Sequence, residues 1–577
     1  MIKTNHPNQL NIFDPWDFLT PKRRQMLDDG WPSIFREHIL PSIPVDKVAK
    51  HFNTTFGRPT KELYSMLGAL ILQQAFDLTD EQTVQQYAFN IQWHYSLNIS
   101  EESDAAKYIS LKTLWNDRNI IIQNNLESDI FNAGTDKLAR AFNVNIDKQR
   151  LDSVHIKSNM RRLGRIGIFS QSIHKFLANL KRGHQDQFDI IDKKIIDKYL
   201  SKNDLGCFSR VKPSESKKTL TDVSRDLFDL VQQFKGCSEV TAMHTYQLLE
   251  RVLKEHCNLT DDKENPVELK KPKEISSDSL QNPSDPDATY SGHKGQGYQV
   301  QVMETYCDDE KQKEKSLNLI THVDIEPAHN SDSNALIPAI ESAEKRNLKP
   351  EELIADSLYG SDDNCEHAKE HDVELFAPTM GAVSEDKLCL SDFQFSEKGE
   401  IVACPQGHAP AIVRKKKRIS IGFAAHDCQN CPILSMCPVK KGKKYYYLRF
   451  TDKEMRIAKR RIYEQSDKFK DRYRWRAGVE ATMSEYDRRT GVKHLRVRGL
   501  KAVRFCATLK ALGVNMFRAA AVRKATNPYQ RDQNSTCFDL NPVILIIKEH
   551  FAMTMSHLKN IIKQSAANYD HKVSLAT

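Results

Sequence analysis

Residues 149–158, QRLDSVHIKS, decide the fold because they combine a strand pattern with a single acidic residue. The apolar residues Leu151, Val154 and Ile156 predict a β-strand over this range. Asp152 lies within that strand, where an ionised carboxylate needs a cation, hydrogen-bond donors or water. Two interpretations are open for Asp152: a metal ligand, or the turn or capping role in which aspartate is more commonly used.

A second acidic residue follows another short apolar run. Residues 352–360, ELIADSLYG, predict a buried strand that ends at Asp356. Open α/β sheets gather their ligands at this end of a strand, so Asp356 is a candidate for the same site as Asp152. The alternative role of Asp356 is the N-cap of the next helix, a position that Ser361 or Asp362 can also fill.

The third acidic residue lies on a basic segment. Residues 473–489, YRWRAGVEATMSEYDRR, predict a helix that carries Glu480. Arg472, Arg476 and Glu480 recur at four-residue intervals and are predicted to share one helix face. Arginines on that face would bind phosphate beside Glu480, whereas the alternative is an exposed helix with Arg–Glu pairs worth about 0.2–0.5 kcal/mol each. Glu485, the rival of Glu480, is expected to point away from it.

In this order, the three segments resemble the DDE transposases of bacterial insertion sequences, over about residues 40–520. The matching motifs are an apolar-x-Asp-Ser strand, Ala-Asp-x-x-Tyr-Gly, and the Tyr-x-x-Arg-x-x-x-Glu of Tyr473, Arg476 and Glu480. KHLRVRGL at 493–500 and a cysteine cluster extend the resemblance. The resemblance is to a subgroup of the family that has an N-terminal helical domain and a cysteine cluster before the helix that carries the Glu.

One position departs from the family pattern. The lysine expected seven residues beyond the Glu is Asp487 here, so Arg488 or Arg489 would have to make the terminal DNA contact. The candidate DNA-binding residues are Tyr473, Arg476, Arg472, Arg488, Arg496 and Arg498.

The resemblance implies a ribonuclease-H-like catalytic domain, with a mixed sheet flanked by helices in an α/β chain. It implies two Mg²⁺ or Mn²⁺ ions held by Asp152, Asp356 and Glu480, which serve in-line phosphoryl transfer. The implied activity is binding of insertion-sequence ends, DNA cleavage and strand transfer. Double-stranded DNA, as element ends and as target, is the expected partner of a homodimer or larger assembly. Two alternatives are a metal-dependent nuclease on the same fold and a domesticated DNA-binding protein without catalysis.

A cysteine cluster precedes the Glu480 helix. Cys404, Cys428, Cys431 and Cys437 include a Cys-x-x-Cys pair and have the spacing of a structural zinc site, with His408 as the substitute for Cys404. A closed four-ligand shell leaves no position for substrate, so its role would be structural. The alternative is four unrelated buried thiols.

Composition and charge narrow the class of protein. With 577 residues, 39% hydrophobic and 28% charged, the chain predicts a soluble protein of about two to four domains. No secretory signal or membrane-spanning run is evident in the sequence, so we expect a cytoplasmic, nucleoid-associated bacterial protein with reduced cysteines. Residues 401–524 hold 31 Lys and Arg against 9 Asp and Glu, a local excess of 22 that favours a DNA partner over a solvated helix face.

The chain divides into seven predicted regions. They are an N-terminal arm (1–40), a helical DNA-binding or dimerisation domain (41–140), the first parts of the catalytic domain (141–159 and 287–400), a helical insertion and polar linker (160–286), a zinc-binding cysteine module (401–445), the Glu-bearing helix and C-terminal elements (446–524), and a tail (525–577) with one helix near 543–551.

Several other polar residues receive minor roles. Asp285 and Asp287 are predicted to lie in a segment near DNA or in a simple turn, with His293 and Lys294 as phosphate contacts. Four further residues have loop or helix-cap roles and are not assigned as ligands. These are His322, Asp324, His329 and Asp332.

Overall fold

The computed structural model describes residues 2–7, 14–53, 59–200, 208, 211–262, 264–381, 386–396, 399–416 and 418–526. The chain forms two compact units, Met1–Ala520 and Ala521–Thr577. Residues 521–526 are the described part of the second unit and end a long helix. The helix predicted near 543–551 lies outside the described residues.

The N-terminal region is helical. Its helices are α1 (Pro21–Asp28), α2 (Trp31–Ile34), α3 (Val45–Ala49), α4 (Leu63–Ala75), α5 (Asp80–Phe89), α6 (Ile91–Ser96), α7 (Asp104–Lys107), α8 (Leu111–Asn124) and α9 (Glu127–Ala141). A π-helical segment, Phe35–Ile39, follows α2. The prediction of an arm over residues 1–40 is wrong for residues 14–40. Ile34 and Phe35 are fully buried, and a Cβ atom on Gly68 of α4 would lie 3.2 Å from the Phe35 ring.

A helical insertion interrupts the catalytic domain after its first strand, β1 (Lys148–Lys157). It contains α10 (Arg165–Gly183), α11 (Gln185–Asp189), α12 (Lys193–Leu200), α13 (Pro213–Phe234), α14 (Ser238–Thr241), α15 (His244–His256) and a hairpin of β2 (Cys257–Leu259) and β3 (Val267–Leu269). These helices are amphipathic and bury a core of their own, which includes Phe176, Leu227 and Leu249. The predicted linker is anchored rather than loose, because Leu280, Asn282 and Asp285 are buried.

The catalytic sheet resumes after the insertion. Its elements are β4 (Thr289–Ser291), β5 (Gly295–Thr305), β6 (Ile320–Pro327), α16 (Leu336–Glu344), β7 (Glu352–Ile354), α17 (Asp362–Glu370) and β8 (Glu374–Phe376). The strand order is β6-β5-β1-β7-β8, with β4 on the same edge of β5 as β6. The β1, β5 and β6 strands are antiparallel, whereas β1, β7 and β8 are parallel. This mixed sheet with its helices fits the ribonuclease-H-like fold that the resemblance implies.

A smaller module and the C-terminal helices complete the described chain. The module contains β9 (Gln394–Phe395), β10 (Ile401–Ala403), β11 (Ile412–Lys415), β12 (Ile419–Ala424), α18 (Ala425–Gln429), β13 (Lys440–Lys441) and β14 (Tyr445–Phe450). The helices are α19 (Asp452–Glu464), α20 (Asp467–Tyr473), α21 (Ala477–Thr490) and α22 (Leu500–Thr526). By length and composition α22 could cross a membrane, but 72% of its apolar window is buried within the protein, as in a core helix.

Candidate active site

Asp152 lies within β1, and Asp356 follows the neighbouring strand β7, two residues after its last residue. The parallel register of β1 and β7 pairs Lys148 with Glu352 and Arg150 with Ile354. Extended by two residues, the same register places Asp356 beside Asp152. Ser361 is the N-cap of α17, so Asp356 does not have the capping role that its sequence left open. One Asp356 carboxylate oxygen accepts the Leu358 backbone N–H at 2.8 Å.

The surroundings of the Asp152 carboxylate disfavour its ionised form. Burial raises its pKa above the usual range, while the Ser153 N–H and the Arg476 guanidinium oppose that shift. The negative charges of Asp356 and Asp332 raise the pKa further. Only 14% of the Asp152 side chain is exposed. This carboxylate is therefore held where a nearby cation stabilises its ionised form.

Arg476 connects the acidic residues of the sheet to the one on the helix. Its Nη2 donates to Asp152 Oδ2 at 2.9 Å, and its Nη1 lies 3.4 Å from Glu480 Oε1. Although burial lowers the pKa of Arg476, Asp152, Tyr473, Asp356 and Glu480 together raise it. Glu480 itself is 73% exposed. Arg476 therefore contacts two of the three predicted catalytic carboxylates, and Asp356 lies near enough for its charge to raise the pKa of Arg476.

The helix that carries Glu480 approaches the sheet at a glycine. A Cβ atom on Gly478 would lie 2.0 Å from Nη1 of Arg150, so a larger residue there would displace that guanidinium. Arg150, on β1, also donates from Nη1 to the Trp475 carbonyl at 2.9 Å. These contacts set the position of α21 relative to Asp152.

A buried charge network lies beside the predicted catalytic residues, and the sequence analysis missed it. Glu304, on β5, is fully buried and pairs with Arg150 at 2.7 Å and with Arg518 at 2.8 Å. Thr482 of α21 donates to both oxygens of the Glu304 carboxylate at 2.8 Å. Arg518 also pairs with Glu485 at 2.9 Å. We call these five residues the Glu304 network; it joins β1, β5, α21 and α22.

The prediction that Arg472, Arg476 and Glu480 share one helix face is wrong. A 3₁₀ turn, Arg474–Arg476, separates α20 from α21. Arg472 instead lies 3.1 Å from Glu352 Oε2, at the beginning of β7, and 4.9 Å above the Phe376 ring. It is therefore at the opposite end of β7 from Asp356. Tyr473 is half-buried and stacks on Phe469 with ring centroids 5.4 Å apart.

The remaining residues of α21 separate into structural and exposed ones. Glu485 pairs with Arg489 at 2.7 Å as well as with Arg518, which leaves it in the network rather than beside Glu480. Asp487, the departure from the family pattern, accepts the Lys493 backbone N–H at 3.1 Å and so fixes the following loop. Arg488 is exposed.

Two candidate DNA-binding arginines lie in the loop before α22. Arg498 is exposed, whereas Arg496 pairs with Asp77 of the helical domain at 2.8 Å. Asp285 accepts the Gly499 N–H at 2.9 Å, and Asp287 accepts the Leu500 N–H at 2.9 Å. Asp285 and Asp287 therefore hold the beginning of α22.

Further polar residues surround Asp152, among them Lys294, for which the sequence predicted a phosphate contact. Lys294 Nζ lies 3.0 Å from Ser153 Oγ and 3.8 Å from Asp332. Asp332 accepts a hydrogen bond from Gln301 at 2.9 Å. Tyr359 donates to Gln301, and its pKa is raised well above the usual value by burial and by the neighbouring carboxylates. Asp332 was assigned only a loop role, yet its charge acts on Asp152.

The donor chemistry of these carboxylates fits a hard divalent cation, because Mg²⁺ and Mn²⁺ prefer oxygen ligands. Their spacing is wider than a coordination shell. Across the described ranges, no group of three or more His, Cys, Asp or Glu side chains is arranged so that it could hold a metal ion. The Arg476 guanidinium bridges Asp152 and Glu480.

The four predicted zinc-binding cysteines converge on one place. Cys404, Cys428, Cys431 and Cys437 line a single small cavity together with His408. Burial raises the pKa of Cys428 to about 11, and the neighbouring Cys437, Cys404 and Cys431 add to that shift. The described cysteines are free thiols. The four thiols are not arranged as a metal-binding group in the described structure, although their soft donor atoms suit zinc in chemistry.

Comparisons with known proteins match two separate parts of the chain, one in the N-terminal helical region and one in the C-terminal region. A family model described as a transposase DDE domain matches residues 403–520, which include Glu480. A second model, described as a transposase domain (DUF772), matches residues 25–119 in the helical region. A search of curated proteins gives no match. These two partial matches, to a transposase DDE domain and to a second transposase domain, indicate a DDE-type insertion-sequence transposase.

Proposed function

We propose that this transposase binds insertion-sequence ends and catalyses DNA cleavage and strand transfer by two-metal phosphoryl transfer. One observation carries the proposal: the register of β1 and β7 sets Asp152 level with Asp356, and Arg476 joins Asp152 to Glu480. Three motifs that are far apart in the sequence thus meet at one accessible point of the sheet.

Asp152, Asp356 and Glu480 would hold Mg²⁺ or Mn²⁺. Such ions activate water and stabilise the leaving 3′-oxygen in phosphoryl transfer. Burial is the main cause of the raised pKa of Asp152, and the charges of Asp356 and Asp332 add to it. A divalent cation would favour the ionised carboxylate in such a setting.

The cationic residues of the site would position the DNA. Arg476 presents a planar fork that suits phosphate oxygens, and Lys294 adds a second positive charge beside Ser153. Arg488 and Arg498 are exposed and available for backbone contacts, whereas Arg472 and Arg496 are engaged in ion pairs with the protein. Tyr473 supports the turn before α21 through its stacking on Phe469.

The cysteine cavity would hold a structural zinc ion through Cys404, Cys428, Cys431 and Cys437, with His408 as the substitute ligand. Freshly purified full-length protein should contain about one zinc per chain. Replacing Cys431 by serine should remove that zinc and lower the melting temperature. Metal-free protein with an unchanged melting temperature would favour four unrelated thiols.

The protein would act as a homodimer or larger assembly, since two element ends must be joined to one target. We propose a cytoplasmic, nucleoid-associated location. These proposals rest on the reaction and on the excess of 22 positive charges in residues 401–524.

One assay separates the proposed function from its alternatives. Full-length protein is incubated with Mg²⁺, labelled element-end duplex and a target plasmid. Cleavage with joined product supports the transposase, cleavage without joining indicates a nuclease, and binding without cleavage indicates a domesticated DNA-binding protein. Omitting Mg²⁺ is the control and should abolish product without abolishing binding.

A further inference from the structure

The cysteine module carries a four-stranded sheet, β11-β12-β14-β13, with two chemically different faces. Alternate residues of each strand point to opposite faces, and directly paired residues share a face. One face is apolar and buried with Phe393 and Ile401. The residues that β12 and β14 contribute to it are Ile421, Phe423, Leu448 and Phe450.

The other face is basic and aromatic. Ser420 pairs with Arg414 on one side and with Arg449 on the other, so the two arginines form one row. Gly422 pairs with Tyr447, which pairs with Lys440 in the next row. We call this surface the outer face. Its functional side chains are Arg414, Lys440, Tyr445, Tyr447 and Arg449.

The cations of the outer face lack acidic partners. Arg414, Lys440 and Arg449 are exposed, and none of them forms a salt bridge with a residue that the structure describes. Lys415 makes the contrast, because it projects to the opposite face and pairs with Glu400 at 2.8 Å. Lys441, on the opposite face, is also exposed and has no salt bridge with a described residue. The outer face therefore differs from the opposite one in carrying three such cations rather than one.

Two glycines keep the outer face flat around Tyr447. A Cβ atom on Gly422 would lie 3.2 Å from the Tyr447 ring, and one on Gly442 would lie 2.6 Å from it. The Arg449 guanidinium lies 5.5 Å from the same ring centroid. The Tyr447 ring therefore lies against the backbone of these two glycines, beside the Arg449 guanidinium.

We propose that the outer face binds the phosphate backbone of duplex DNA without reading its sequence. Arginine, lysine and tyrosine hydroxyl groups are common phosphate donors. Arg414 and Arg449 lie two strands apart, roughly 10 Å at about 4.8 Å per strand, so they would contact different phosphates. This inference rests on the proposed function in requiring that the protein act on DNA, but it assigns the contact to a module that lacks the catalytic carboxylates.

The test compares two double variants of the full-length protein. R414Q/R449Q removes two charges from the outer face, on β11 and β14. K415Q/K441Q removes two charges from the opposite face, on β11 and β13. Binding to end duplex, random duplex and single strands is measured by fluorescence anisotropy across a salt series. Thermal melting verifies that both variants are folded.

For R414Q/R449Q we expect the slope of log affinity against log salt to fall by about 1.8 on both duplexes, at about 0.9 per phosphate contact. K415Q/K441Q should keep the wild-type slope. An unchanged slope in R414Q/R449Q, equal losses in the two variants, or a loss confined to end duplex or to single strands would overturn the inference. If wild-type protein binds and cuts element ends in such a case, the proposed function stands and this inference alone fails.

Discussion

Two assemblies of arginines and carboxylates lie next to each other on one face of the catalytic sheet. Arg150 and Asp152 are alternate residues of β1 and so point to the same side, under α21. Around Arg150, the Glu304 network is buried, and Glu304 accepts from two guanidiniums and a hydroxyl. Around Asp152, the carboxylates outnumber the cations and Glu480 is largely exposed.

The difference between the assemblies separates a structural role from a chemical one. A buried carboxylate with every oxygen satisfied holds strands and helices together, because losing one partner strands a charge in the interior. A carboxylate group with surplus negative charge and access to solvent has capacity left for a cation or substrate. Arginines and carboxylates thus have two roles here. In the Glu304 network they hold α21 against the sheet, and beside Asp152 they leave Glu480 of the same helix exposed.

The largest expected effect tests the assembly around Asp152. Replacing Asp152, Asp356 or Glu480 singly by alanine should reduce DNA cleavage on the order of a thousandfold or more, since each would remove a metal ligand. The urea midpoint and DNA affinity should change little, because the basic surface supplies most of the affinity. Asp324→Asn, on β6 of the same sheet, is the control. Retained cleavage in any alanine variant would exclude that residue from the triad.

The Glu304 network should show the reverse behaviour, with a large effect on stability. Glu304→Gln leaves Arg150 and Arg518 without their buried counter-ion and should lower the free energy of unfolding by about 3–5 kcal/mol. Glu485→Gln, at the partly exposed edge of the network, should cost about 1 kcal/mol or less. Urea denaturation measures both. Equal losses in the two variants would show that Glu304 has no special structural role.

Asp117 offers a third case, a buried carboxylate without an ion pair among the described residues. Burial raises its pKa to about 7. In the unfolded chain the Asp117 carboxyl ionises near pH 4. Its contribution to the free energy of unfolding therefore falls as pH rises from about 4 to about 7. Asp117→Asn should remove this dependence, with a relative gain that reaches at most about 4 kcal/mol above pH 7. Denaturation at several pH values measures the gain, and a constant difference between the proteins would contradict it.

The candidate triad could be predicted because each carboxylate has a local signature. Asp152 and Asp356 follow or interrupt short apolar runs, and Glu480 lies in a distinctive arginine pattern. The matched family ranges contain Glu480 but neither Asp152 nor Asp356, so the catalytic role of the triad stays a prediction. The strand order also agrees with the fold expected from the resemblance.

The Glu304 network could not be predicted, because it joins residues from four elements that no spacing rule connects. Its effect explains the error over Arg472 as well. Arg150 takes the Trp475 carbonyl as a hydrogen-bond acceptor where the chain turns from α20 into α21. No glycine or proline marks that turn in the sequence, so a continuous helix was the natural prediction.

The smallest expected effect concerns the two arginines that flank this turn. Arg476 contacts the candidate catalytic residues Asp152 and Glu480, whereas Arg472 pairs with Glu352 at the far end of β7. Arg476→Gln should reduce cleavage and lower the salt slope of DNA binding by about 0.9, equivalent to one phosphate contact. Arg472→Gln should leave that slope unchanged and cost about 1 kcal/mol of stability or less, because its ion pair is partly exposed. Anisotropy on end and random duplexes measures the slopes. A reduced slope in Arg472→Gln would place that arginine on the DNA, and unchanged slopes in both would assign the phosphate contacts to exposed cations elsewhere, such as Arg488 and Arg498.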